Sequence, residues 1–182
     1  MTNSFSPGDI ITFWRDAGES RWFKMDADFD ADVRKRFLPL WQETRDSRHA
    51  DWETTAEGIL ALILVLDQFP RNMFRNSAEA FSTDPQALAL AKRAIDQGID
   101  QQIGTDLRAF VYMPLMHSEY LSDQRRCVEL FRAFGNPNNL AFAEIHADII
   151  RKFGRFPHRN TVLGRQTTAE EAAFLAGGGF KG

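Results

Sequence analysis

Apolar positions along this chain recur at three- and four-residue spacing, and no segment sustains an alternation of period two. That pattern predicts helices joined by short connections, packed as antiparallel hairpins. One stretch departs from the amphipathic rule. Ile59–Leu66 is a run of eight apolar residues inside TTAEGILALILVLDQFPRNMFR, Thr54–Arg75. A helix with no polar stripe is buried on every side, so this one is expected to run through the middle of the core. Its end is polar: Asp67, Gln68, Arg71, Asn72 and Arg75 surround a Phe69-Pro70 step. A second Phe-Pro step, Phe156-Pro157, lies in FGRFPHRN (Phe153–Asn160) and is again followed by cationic and amide side chains.

Start and stop signals place the other helices. Ser6-Pro7 opens a helix over 7–17, and Ser20–Phe29 reads as a packed aromatic and acidic loop. Asp30 is expected to cap a helix carrying Val33, Phe37, Leu40 and Trp41, with Pro39 inside it; Ser47–Trp52 reads as a polar connection. Asp84-Pro85 opens a helix rich in small residues that closes at Gly98. A helix is expected over Gly104–Met113, interrupted at Pro114, and another from Ser122 to Gly135. Leu140–Phe153, closed by Gly154, and a last helix from Thr168, with Glu170 and Glu171 in its first turn, complete the series.

Length and composition narrow the class. At 182 residues and 43% hydrophobic, the chain predicts a single all-α domain over 1–182, with 176–182 a flexible tail. Its 16 Phe and 4 Trp outnumber 2 Tyr, which suits dry helix packing. Net charge is -3 and Lys and Arg are scattered, which argues against nucleic acid. The start lacks a signal-peptide pattern and no apolar run reaches the ~20 residues of a membrane span, so a soluble cytoplasmic protein without a membrane partner is expected. The single Cys127 reads as a buried thiol.

Four polar constellations stand against the core: Asp67–Asn72, Pro114–Glu119, Glu144 with His146 and Asp148, and Arg155 with His158, Arg159 and Asn160. Asp67 and Arg71, four apart, can simply pair, and arginines can satisfy the carbonyls at a helix end that Pro70 deprives of a donor. The functional alternative has Arg71, Arg155 and Arg159 converge on a carboxylate or phosphate, which the guanidinium fork matches. His117 and Glu119 are the candidate acid-base pair. A metal site drawing on His117, Glu119, His146, Asp148 and His158 has no recognised ligand spacing, and neither metal nor cofactor is indicated. His146 reads as solvated or capping. Ser118 lacks a nucleophile elbow, and no Gly-rich phosphate loop follows a strand.

The stretches LDQFPRNMFR, AFSTDPQALALA, YMPLMHSE and HADIIRKFGRFPHRNTVLGR together resemble a bacterial family of uncharacterised proteins, domain of unknown function family 924, over roughly Pro7–Leu175. The resemblance implies an all-α, tetratricopeptide-like arrangement of degenerate repeats and no particular reaction. Residue periodicity alone yields no 34-residue repeat consensus. Two functions are therefore carried forward. The first is a binding module with an Arg- and His-lined pocket for an acidic small molecule or peptide, drawing on Asp67, Arg71, Asn72, His117, Glu119, Arg155, His158 and Arg159. The second is a hydrolase or lyase-type enzyme using His117 and Glu119, with or without a metal. A homo-oligomer formed through an exposed aromatic face is compatible with either.

Overall fold

The structure, a computed structural model, describes residues 5–180, and among them there is no β-strand. The expected tail beyond Phe180 lies outside the described residues. The chain divides into two compact units, one reaching to Arg75 and resuming over Glu79–Pro114, the other comprising Asn76–Ala78 and the chain from Leu115 onward.

In the first unit, α1 (Pro7–Ala17) starts where Ser6-Pro7 placed it. Ser6 accepts from the Asp9 N–H and Asp9 reaches back to the Ser6 N–H, a reciprocal cap that satisfies two helix-end donors. A short α2 (Glu19–Trp22) occupies what the sequence suggested was loop, and Trp22 donates its indole N–H to the Trp14 carbonyl at 2.7 Å. Helix α3 (Ala27–Arg45) begins one turn earlier than expected, because Asp26 caps it by accepting from the Phe29 N–H. Asp30 is thereby freed for a tertiary role. Pro39 lies within α3, and the helix continues through it.

The central element runs from α4 (Ala56–Ile63) through one π-helical turn, Leu64–Gln68, into α5 (Phe69–Met73). Every residue from Ile59 to Leu66 is buried, as its unbroken apolar run predicts. The helix starts hard against the preceding turn. A Cβ on Gly58 would lie 2.0 Å from the Trp52 carbonyl oxygen, so only glycine fits. Around it gather Trp14, Phe37, Phe69 and Phe110, with Trp14 and Phe110 edge to face at 5.6 Å and Phe37 and Phe69 at 4.9 Å. Helix α6 (Asp84–Asp96) packs its alanines on α4; its cap residue is Thr83 rather than Asp84. Helix α7 (Ala109–His117) passes through Pro114, where an interruption was expected, since a proline costs a helix one hydrogen bond without having to end it.

The second unit is built on a helical hairpin. Helix α8 (Leu121–Phe134) begins after Tyr120 rather than at Ser122, and α9 (Pro137–Phe153) follows through Gly135 and the capping Asn136. Helix α10 (Ala169–Ala176) is capped reciprocally by Thr168 and Glu171. Cys127 is a buried thiol whose pKa burial raises. No described helix is long and apolar enough to cross a membrane.

Candidate functional site

The predicted site residues fall in both units: Asp67, Arg71 and Asn72 in the first, His117, Glu119, Arg155, His158 and Arg159 in the second. Around the first Phe-Pro step the chemistry follows from the missing N–H of Pro70. A helix carbonyl four residues back, that of Leu66, loses its donor, and the Thr83 hydroxyl supplies one at 2.6 Å. Thr83 in turn accepts from the Trp41 indole. The π turn re-aims the next side chains. Asp67 is wholly buried and pairs with Arg71 at 3.2 Å, and Arg71 forks onto both oxygens of Asp84 at 2.9 and 3.0 Å. Asn72 donates to Asp30 at 2.8 Å, Arg75 bonds the same carboxylate, and Arg34 donates to the Met73 carbonyl. The end of the central helix is thus tied to α3 and α6 through carboxylates.

In the second unit, Glu119 follows α7 directly. Arg165 forks onto its two oxygens at 2.7 and 3.0 Å and also donates to the Phe156 carbonyl, while the Phe156 N–H donates to Glu119 at 2.8 Å. Burial pushes the Glu119 carboxyl up, but the Arg165 and Phe156 hydrogen bonds outweigh it and hold the group below the usual carboxylate range. Arg155 binds Glu171 bidentately at 2.7 and 2.9 Å, and Glu171 also accepts from Asn160 and the Thr168 N–H. These bonds, Arg155 foremost, bring Glu171 down to about 2. Ser118 donates to Asp123 at 2.7 Å, and Gln124 donates to the carbonyls of Met116 and Ser118. The loop after α9 is therefore clamped at each end by an Arg–Glu fork.

Between the clamps lies a cluster centred on Phe156, which is fully buried. Its ring faces the His146 ring at 5.4 Å and the His158 ring at 5.6 Å, and the buried Arg159 guanidinium lies over it at 4.6 Å. Phe180 closes on the same group, 4.5 Å from His146 and 5.6 Å from His158. His146 is buried, not solvated as its place in an amphipathic helix suggested. Its Nδ1 lies 2.7 Å from the Phe142 carbonyl, which can only accept, so Nδ1 carries the proton. Burial brings its pKa down to about 4, against the Phe142 hydrogen bond and with help from the charges of His117, Arg159 and His158. Two expected partners of His146 stay on the surface, Glu144 with Arg132 and Asp148 with Arg151. Among the described residues, no group of three or more His, Cys, Asp and Glu is placed to hold a metal. A groove of about 760 Å³ lies in the first unit beside Phe13, Phe29, Arg21 and Arg36; no predicted site residue lines it.

Sequence reasoning missed the partners more than the arginines. Glu171 was visible as a T-x-x-E capping box, and Thr83 as the polar residue before Asp84-Pro85, yet neither spacing reveals a tertiary bond. Phe180, after three glycines, carried no signal.

These features define an all-α protein whose helix ends are held by arginine–carboxylate forks. The chain belongs to the bacterial protein family of unknown function DUF924, which matches residues 10–179. It is similar to the solved structure of a protein of unknown function from Agrobacterium tumefaciens, with 44% identity and a TM-score of 0.89 over 93% of this chain and 96% of that one. No curated protein is significantly similar to the chain.

Proposed function

We propose that the second unit binds a small carboxylate- or phosphate-bearing molecule at the Phe156 cluster, with Arg159, His158 and His117 facing the anion and His146 neutral behind them. The observation that carries this reading is the gathering of two imidazoles, His146 and His158, and a buried guanidinium about one aromatic ring, with His117 near enough to act on His146. Burial is what chiefly keeps His146 neutral, with His117, Arg159 and His158 acting in the same direction, and an anion would be drawn to the cationic side of the cluster. Arg71 and Arg155 each fork onto a carboxylate of the protein itself and read as struts. On this reading Asp67, Asn72 and Glu119 hold those struts and the loop in place. The hydrolase or lyase alternative draws less support, because both oxygens of Glu119 serve Arg165.

The test is an NMR titration of the histidine rings with inorganic phosphate and with propionate. Either anion should shift His158 and His117 resonances saturably, and Arg159→Gln should weaken that binding by about tenfold or more, the loss expected for a charge-assisted fork. Unmoved rings, or equal binding by a folded Arg159→Gln protein, would refute the reading.

A further inference from the structure

The first unit holds a smaller recess that none of the predicted site residues lines. Its volume is about 180 Å³, the room of about six waters at the ~30 Å³ each takes in the liquid, so it suits a molecule below drug size. The end of α3, the turn after it, α4 with its π turn, and α6 wall it in. Leu62, Leu66 and Leu90, all buried, supply its apolar side. Leu66 belongs to the π turn, a departure from α geometry that recurs at functional sites.

The polar groups at the recess are of two kinds. The charged ones are engaged: Arg93 pairs with Glu53, and His49 sets Nε2 3.2 Å from Glu43 with its ring 4.8 Å from that of Trp52. The neutral ones are not. Thr44 is only 4% exposed, yet its hydroxyl has no hydrogen-bond partner among the described residues. A threonine inside a helix can turn its hydroxyl back to the carbonyl four residues before, and Thr44 does not. A buried hydroxyl left unmet is costly, so this one calls for a partner from outside the chain. Gln86 donates its amide N–H to the Arg45 carbonyl at 2.8 Å, which leaves its Oε1 as an acceptor, and Ser47 adds an exposed hydroxyl. We infer that this recess binds a small uncharged amphiphile, a branched aliphatic primary amide, with its body on the three leucines. The amide carbonyl accepts from Thr44 and its NH2 group donates to Gln86. An ionic head would find the opposite charges at the recess already paired and would lose its hydration without replacement.

The experiment titrates three compounds into methyl-labelled protein and follows the Thr44, Leu62, Leu66 and Leu90 methyls by NMR. They are 3-methylbutanamide, its carboxylate isostere 3-methylbutanoate, and acetamide, which lacks the branched body. The first should shift these methyls saturably, and the other two should bind about tenfold or more weakly. Thr44→Val keeps the shape of the side chain and removes the hydroxyl. It should bind 3-methylbutanamide about fivefold more weakly, the loss of one neutral hydrogen bond, and without ligand it should melt no lower than wild type. Ala89→Leu, at an exposed position of α6 that lines the recess, should fill it and abolish the shifts without touching Thr44. Unmoved methyls in the wild type would overturn the inference and leave water to meet the Thr44 hydroxyl. So would a Thr44→Val or Ala89→Leu protein that binds 3-methylbutanamide as wild type does, or equal or tighter binding of 3-methylbutanoate. A Thr44→Val protein that melts well below wild type would overturn it as well, by giving the hydroxyl a structural role.

Discussion

The two Phe-Pro steps are nearly alike in sequence and differ in what surrounds them. At Phe69-Pro70 the step lies inside a helix, and the following cation, Arg71, is neutralised within the protein by Asp67 and Asp84. At Phe156-Pro157 the step lies in a loop after a helix has ended at Gly154, and the neighbouring carboxylates pair with Arg155 and Arg165. His158 and Arg159 stack on an aromatic ring. A proline in a continuing helix exposes a carbonyl that must be repaired, so its neighbours are recruited to structure. A proline in a loop after the helix has ended takes no hydrogen bond from a continuing helix, so its neighbours are not recruited to that repair.

The largest effect that would break this contrast is at the first step. Arg71→Ala takes a cation from the wholly buried Asp67 and should destabilise the protein by about 3 kcal/mol or more in urea unfolding; a small loss would mean Arg71 is available to a ligand after all. At the second step the effect should depend on pH. The folded pKa of His146, about 4, lies below its ordinary 6.5, so the unfolded chain takes up the proton first as pH falls. Stability should therefore drop by about 3 kcal/mol between pH 6.5 and 4, and His146→Leu should flatten that slope. Glu171 behaves differently, because its folded pKa, about 2, is depressed from 4.5. Its contribution is complete above pH 4.5 and disappears as pH falls through 2, so Glu171→Gln should lower the melting temperature at pH 7 and converge with wild type in strong acid. The smallest change sharpens the repair argument: Thr83→Val leaves the Leu66 carbonyl without its hydroxyl donor and should cost about 1–2 kcal/mol.

Much of the fold could be read from the chain because its signals are local. Ser6-Pro7 and Thr168 with Glu171 are caps whose donors and acceptors lie within four residues, and each helix begins there, whereas α9 starts at Pro137, three residues before the expected Leu140, because Asn136 caps it. Ile59–Leu66 needed no partner information to be central. Reading failed where a local signal competed with a tertiary one. Asp30 has the spacing of a cap, but Asp26 takes that place and Asp30 binds Asn72 and Arg75, more than forty residues away. Pro114 looks like a helix stop, yet the apolar residues on both sides are buried and hold the helix through it. For the candidate site, the sequence displayed the arginines and histidines but not which carboxylates engage them. That pairing is set by contacts such as Arg165 to Glu119, 46 residues apart. The buried state of His146 was hidden for the same reason, since Phe156 and Phe180 cover it from outside its own helix.

The contrast between the two steps comes down to which arginine a ligand needs. Calorimetric titration of inorganic phosphate into wild type, Arg71→Lys and Arg159→Gln, each shown to be folded by circular dichroism, compares them under one condition. The account predicts that Arg71→Lys binds as wild type does and that Arg159→Gln binds about tenfold or more weakly, the loss of a charge-assisted contact. Undiminished binding by Arg159→Gln, or binding abolished by Arg71→Lys, would contradict it.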